Sequence, residues 1–321
     1  MVAPLSPHTM TILRAAVVQA FVPHDLAAGL TITAARTAEA AKQGATLVVF
    51  PETWLPGYPI WLDVCRDVAL WDHAPVKAVY RRLAEESVAV PSAATRQLGE
   101  MARANAVTLV IGVSERVDDG PGRGTLYNSI LTFGADGTLL NHHRKLMPTY
   151  TERMVWGAGD ADGIRSVPVG DARVGALVCW EHWMPLARQA LHEAGEDVHV
   201  ALWPTVHEML QVASRHYAFE GRCFVLAAGS LMRAADLPAT LEPHASKVSS
   251  GDQLVMRGGS AIIAPNGSYL AGPVFDEAAV LVANLDLALV REESMTLDVT
   301  GHYHRPELLS LQVRRGSRLS S

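Results

Sequence analysis

Cys179 stands where a short apolar run, Val174 to Val178, meets a polar-aromatic cluster, Trp180-Glu-His-Trp183. An apolar run of about five residues after the turn-prone Gly170-Asp171 predicts a buried strand. Met184 to Ala194 has helix-compatible composition, with Pro185 suited to a first turn. The thiol is therefore expected where a buried strand meets a helix. Ligands bind at such strand ends in open α/β sheets, and a thiol near a helix N-terminus tends to a lowered pKa and stronger nucleophilicity. A packed core cysteine fits the same stretch, since free Cys is among the most buried residue types.

A nucleophilic thiol needs a base in reach and donors for the anion that develops. Glu52 follows the apolar run Thr46 to Phe50 much as Cys179 follows its own, and a carboxylate at a buried strand end is costly without a partner or a task. Lys145, in His142-His-Arg-Lys-Leu-Met-Pro148, offers a compact positive charge suited to a tetrahedral anion. A solvated basic cluster reads the same way. Glu152 follows Lys145 by seven residues and could position it or the substrate. His182 competes with Glu52 as the base, although pairing at i and i+3 would require helical geometry to start at the cysteine itself. The aromatic and polar residues Trp54, Tyr58, Trp61, Trp180, Trp183, Trp203 and His207 suit either an apolar substrate pocket or ordinary core packing. No metal site is expected. His142-His143 and His302-Tyr-His304 lack HExxH or CxxC company, and Gly120-Pro-Gly-Arg-Gly124 matches neither phosphate-loop pattern.

These positions need a scaffold that brings distant strand ends together. Strands are expected at Leu13 to Ala20, Ala45 to Phe50 and Val107 to Val113. Helices fall between them at Leu26 to Gln43, Pro75 to Glu86 and Ala93 to Asn105. Leu26, Leu30, Ala34, Ala38 and Ala41 share one face of the first helix, and Gly44 stands at its C-cap. Such alternation implies an α/β architecture. Two hairpin signals, Gly134-Ala-Asp-Gly137 and Pro265-Asn-Gly267, flank the strands Val198 to Trp203 and Cys223 to Ala228 and the helix Glu208 to Glu220. Roughly ten strands mixing crossovers with hairpins favour two stacked sheets with helices outside over a simple doubly wound sheet. Ala234 to Asp252 reads as a lid or interface loop.

The chain has 321 residues, 49% hydrophobic and 19% charged, with no internal domain boundary. A net charge of −6 argues against nucleic acid or an anionic membrane as partner. Three widely spaced cysteines make neither a disulfide framework nor a zinc site and suit a reducing, cytoplasmic setting. The N-terminus lacks a signal-peptide pattern, and no apolar run reaches membrane-spanning length. The basic tail 307–321 is expected to be mobile or used in assembly.

In their order and spacing, Phe50-Pro-Glu52, His143-Arg-Lys-Leu-Met-Pro-Thr149 and Cys179-Trp-Glu181 resemble the three catalytic blocks of the nitrilase superfamily. The likeness runs from Leu13 to Pro306. Leu55-Pro-Gly-Tyr-Pro59, Ser214 to Arg222, Gly258 to Gly267 and Asp298 to Pro306 are similar to the nitrilase branch itself. The resemblance implies an αββα sandwich formed by one carbon-nitrogen hydrolase domain over 1–321, with its core at 13–306. It implies a triad of Glu52, Lys145 and Cys179, with Glu152 as an additional active-site acid. The backbone N–H of Trp180 would stabilise the anion, and Tyr58, Trp54, His182, Trp203 and His207 are candidates for the substrate pocket. The implied reaction converts a small nitrile to its carboxylic acid and ammonia through a thioester, without a cofactor, in a homodimer that extends to larger spirals. Many members carry Asn where this chain has His182, a variant similar to a bacterial subset. An amidase or N-carbamoyl amide hydrolase would use the same triad, and a non-catalytic filament or binding protein would keep the fold alone.

Overall fold

Strands buried on both faces read as continuous apolar runs and need cover on each side. Two stacked sheets and outer helices supply that cover. The computed structural model describes residues 11–316, so the signal-peptide reading of the first residues and the last five of the tail lie outside it. The strands in chain order are β1 (Ile12–Gln19), β2 (Leu47–Val49), β3 (Val88–Ala89), β4 (Thr108–Arg116), β5 (Leu126–Phe133), β6 (Leu139–Arg144) and β7 (Val167–Val169), followed by β8 (Ala172–Val178), β9 (Val198–Leu202), β10 (Phe224–Ala228), β11 (Leu231–Arg233), β12 (Leu254–Ile263), β13 (Tyr269–Phe275) and β14 (Ala279–Asp286). One sheet runs β14-β1-β2-β4-β5-β6 with β3 beside β4, and the other runs β11-β12-β10-β9-β8-β7 with β13 beside β12.

Each sheet has a parallel centre, β1-β2-β4 or β8-β9-β10, that turns antiparallel through a hairpin. The two hairpins fall at the predicted turns, where Gly137 and Gly267 adopt φ of 86° and 79°. Among the described residues, fourteen strands replace the ten expected. The additions include β3, β7 and β11, which are too short to show a period-2 pattern. Side-chain alternation divides the core in two. Ala15 and Val17 of β1 face Ala176, Val178 and Val200 of the opposite sheet. Ala16 and Val18 face outward, toward Leu98 and Ala102. The result is the expected four-layer sandwich, two mixed sheets flanked by helices.

The helices are α1 (Leu26–Lys42), α2 (Trp61–Val64), α3 (Ala74–Glu86), α4 (Ala93–Ala104), α5 (Pro185–Glu193), α6 (Glu208–Gly221) and α7 (Ala288–Ser294). The buried stripe of α1 is Gly29, Thr33, Thr37 and Ala40, and the predicted line of Leu26, Leu30, Ala34, Ala38 and Ala41 lies beside it. Close approach explains the difference. The Trp54 indole N–H donates to Thr33 Oγ1 at 2.8 Å, and a Cβ at Gly29 would overlap Leu55. Small residues there let α1 press on the segment just after Glu52.

Two further segments are anchored to the fold at particular residues. The segment Ala234 to Asp252 is pinned at its first half. Leu237 and Leu241 are buried with Tyr58, Trp61 and Trp156, and its backbone bonds Val64 and Arg66 at 2.8 Å each. Leu311 and Val313 pack on the inter-sheet core, and Arg315 donates to the Ile164 carbonyl at 2.7 Å.

Candidate active site

Three strand ends converge between the sheets: the segment after β2 carries Glu52, the residue after β6 is Lys145, and the residue after β8 is Cys179. All three are essentially inaccessible to solvent. The backbone of Glu52 is admitted by Gly112 of β4, where a Cβ would come within 2.8 Å of the Glu52 Cα. Glu152 sits in the 3-10 turn Tyr150–Met154 and accepts the Thr149 N–H at 2.8 Å.

Cys179 has a φ of 51°, a left-handed conformation that is costly for a residue with a Cβ and characteristic of functional turns. Glu181 stabilises this turn. Its carboxylate accepts the N–H groups of Val178 and Leu146 at 2.7 Å each and lies 3.0 Å from His143 Nε2. It therefore ties the end of β8 to the segment after β6, one sheet to the other, and brings Cys179 beside Lys145. The residues from Cys179 to Trp183 form a 3-10 turn before α5 begins at Pro185.

The Lys145 ammonium lies 3.1 Å from Glu52 Oε1 and 2.6 Å from Glu152 Oε2. Asn128 donates to Glu52 Oε1 at 2.6 Å, and the Tyr58 hydroxyl donates to Glu152 Oε1 at 2.8 Å. The carboxylates of Glu52 and Glu152 and the Cys179 sulfur all approach within 4.8 Å of one another. Three potential ligand atoms so placed resemble a cation site, and the Lys145 ammonium already serves that place by bonding both carboxylates. Of these carboxylate oxygens, Glu52 Oε2 has no hydrogen-bond partner, which leaves a buried acceptor in the cluster.

Burial raises Glu52 to about 7, with the Lys145 charge opposing that rise and the Glu152 charge adding to it. Burial also pushes the Cys179 thiol well above its ordinary range, and the Glu52 charge adds to this. The sequence-based expectation of a depressed thiol pKa is therefore reversed, because burial and the nearby carboxylates outweigh the Lys145 charge and the Trp180 backbone N–H. Burial alone would lower Lys145, but the charges of Cys179, Glu52 and Glu152 hold it above its usual value. The resting site is a neutral thiol, a permanent cation and a carboxyl group poised near neutrality. A base so tuned can take a proton and return it.

The site opens into a cavity of about 840 Å³ lined by Tyr58, Tyr150, Trp180, Trp183, Met184 and His207, among others. The Trp180 backbone N–H bonds the Cys179 sulfur, while its indole stands half exposed in the cleft wall. Trp54, Trp203 and His182 do not reach the cleft. Trp54 is held under α1, and His182 stacks on Trp203 at 4.6 Å behind the nucleophile. Helical geometry does begin at the cysteine, but it gives His182 no base role: its Nδ1 bonds the Cys179 carbonyl at 2.6 Å, not the thiol. Asn128 escaped sequence reasoning, because β5 also carries the polar Ser129 and Thr132 and residue type does not single it out. Glu181 stands in the Cys179-Trp-Glu181 block, where sequence reasoning assigned it no role of its own.

A family model described as carbon-nitrogen hydrolase matches residues 14–293. A nitrilase from Paraburkholderia phymatum is 40% identical over 312 residues, covering 94% of this chain and 86% of that one. An aliphatic nitrilase from Sinorhizobium fredii is 37% identical over 306 residues, covering 95% and 96%. Among solved structures, the carbon-nitrogen hydrolase from Helicobacter pylori superposes with a TM-score of 0.69 at 18% identity, covering 90% of this chain and 94% of that one, a likeness of fold. With a buried Glu-Lys-Cys cluster at the strand ends and these matches along nearly its whole length, the chain belongs to the carbon-nitrogen hydrolase family and is a hydrolase acting on carbon–nitrogen bonds.

Proposed function

We propose that this protein hydrolyses a small organic nitrile to its carboxylic acid and ammonia, with Cys179 as nucleophile, Glu52 as acid–base and Lys145 as electrostatic stabiliser. The observation that carries this reading is the Lys145 ammonium held between two buried carboxylates, with the thiol beside them. The relatives named nitrilase favour nitrile over amide.

Glu52 takes the thiol proton as the sulfur adds to the nitrile carbon, and returns it to the nitrogen to give a thioimidate. A first water adds to the thioimidate, assisted by Glu52, and the C–N bond breaks with ammonia leaving. The remaining thioester is hydrolysed by a second water, which restores the thiol. Lys145 and the Trp180 N–H meet the negative charge at each addition. Glu152 and Tyr58 hold Lys145 in place. The apolar, aromatic wall suits a nitrile substituent with little polarity. No helix among the described residues is long and apolar enough to cross a membrane.

The assembly reading is a homodimer extending to a larger spiral. Exposed Met209, Val212 and Phe219 share one face of α6, and Leu186 of α5 is also exposed, an apolar surface suited to a second copy. Sedimentation of the wild type against Val212→Glu checks it.

The deciding experiment measures ammonia, acid and amide from a nitrile panel and from the matching amides. Turnover of nitriles, abolished in Cys179→Ala, is expected. Wild-type ammonia release by Cys179→Ala would overturn the scheme, and turnover confined to the amides would establish the amidase reading instead.

A further inference from the structure

Behind the nucleophile lies a second group of titratable side chains, buried and separate from the cleft: His182 in the turn, Glu196 before β9, His199 on β9 and Tyr217 on α6. They form an unbroken chain. His182 Nδ1 meets the Cys179 carbonyl at 2.6 Å, and His182 Nε2 meets His199 Nε2 at 3.0 Å. His199 Nδ1 meets Glu196 Oε2 at 2.9 Å, and the Tyr217 hydroxyl donates to the other Glu196 oxygen.

Counting donors locates the protons. A carbonyl only accepts, so His182 Nδ1 carries a proton. With Nδ1 protonated, the neutral His182 ring offers Nε2 as an acceptor, so the proton between the two rings sits on His199 Nε2. Burial, reinforced by the His199 charge, holds His182 well below the ordinary histidine range, in keeping with a neutral ring. Glu196 anchors the far side of His199 through Nδ1, and Tyr217 stacks on the His199 ring with centroids 3.7 Å apart at 23°.

We propose that Glu196, His199 and His182 form a positioning relay for the reaction, in which His199, anchored by Glu196, fixes His182 in the tautomer that grips the Cys179 carbonyl. That grip holds the left-handed turn which presents the thiol and the Trp180 N–H. The inference rests on Cys179 being the nucleophile. Loss of the Glu196 anchor frees the His199 ring and, through it, loosens the grip of His182 on the turn. Gly175 on β8 reserves the space of the Glu196 carboxylate, and a Cβ there would collide with it.

The test is the steady-state kinetics of the full-length enzyme and its variants. Glu196→Gln, and Gly175→Ala as an independent perturbation, are expected to lower kcat about tenfold, with KM altered far less. His182→Ala is expected to lose roughly 100-fold in kcat. His182→Asn, whose amide can donate to the same carbonyl, regains most of that loss, and its kcat no longer responds to Glu196→Gln. An unchanged kcat in Glu196→Gln, with Cys179→Ala inactive, overturns the relay alone, whereas an active Cys179→Ala overturns the functional reading beneath it. Should the variants not fold, 15N spectra of the histidine-labelled wild type decide: a proton on His182 Nδ1 with Nε2 bare supports the relay, and the opposite tautomer overturns it.

Discussion

The two faces of β6 carry buried ionic clusters of opposite character. On the face toward the helices, His142 and Arg144 meet Glu115, which is also bonded by Ser129 at 2.6 Å. On the face between the sheets, His143 meets Glu181, and Lys145 meets Glu52 and Glu152. Period-2 alternation along one strand separates them. Burial raises Glu115, but its bonds to His142 and Arg144 overcome that and lower it to about 2. Glu52, with one oxygen unpartnered, is raised to about 7. The first cluster is saturated with donors and stabilises the fold. The second is left short of donors, and the shortage is what makes its carboxyl group a base.

That contrast breaks most sharply at Glu52. Glu52→Gln keeps the shape and removes proton transfer, so kcat is expected to fall by about 10²–10⁴. Its melting temperature should be no lower than wild type, because a carboxylate held in an unfavourable ionised state is gone. A clear drop in melting temperature with activity retained would make Glu52 structural. Lys145→Met strands two buried carboxylates. The expected loss is about 10²–10³ in kcat together with roughly 3–5 kcal/mol of stability, read by steady-state rates and urea unfolding.

Glu115→Gln should invert the pattern, with kcat kept within about threefold. The expected loss of stability near neutral pH is about 3 kcal/mol, because each tenfold gain in a carboxyl group's acidity on folding is worth about 1.4 kcal/mol. The signs differ with pH as well. The folded pKa of Glu115 is depressed, so its contribution is present above about 4.5 and lost as pH falls toward 2. The folded pKa of Glu52 is raised, so its contribution is present below about 4.5 and lost as pH rises through 7. Activity gains its base over that same upper window. Unfolding free energies and kcat measured together from pH 3 to 8 should therefore show activity rising where the Glu52 contribution fades. The smallest effect belongs to Asn128→Ala. Removing its bond to Glu52 should move the acid limb of kcat about 1 pH unit higher, as expected for a hydrogen bond to a charged group.

Much of this was legible in the chain. The apolar runs of β1, β2, β8, β9 and β10 announced doubly covered strands, and the glycine-rich turns announced both hairpins. Glu52, Lys145 and Cys179 each stood just beyond a strand, where function concentrates in such folds. On α1, Leu26, Leu30 and Ala41 of the predicted line pack against the core, and beside them a close helix–sheet contact selects small residues such as Gly29 and Thr33. Trp54, Trp203 and His182 looked like pocket walls because residue type does not reveal which side of a strand end faces the cavity.

The amino-acid sequence by itself determined the α/β architecture, because strand periodicity and local turn chemistry are written in neighbouring positions, and it marked the three candidate site residues through the resemblance of three short blocks to a known family. Tertiary structure decided the rest. Whether the thiol is lowered or raised, which oxygen of Glu52 stays free, and that His182 grips a carbonyl behind the cysteine all depend on groups far apart in the chain. Electrostatics and desolvation act through space over a few ångströms, and only the folded chain sets those distances.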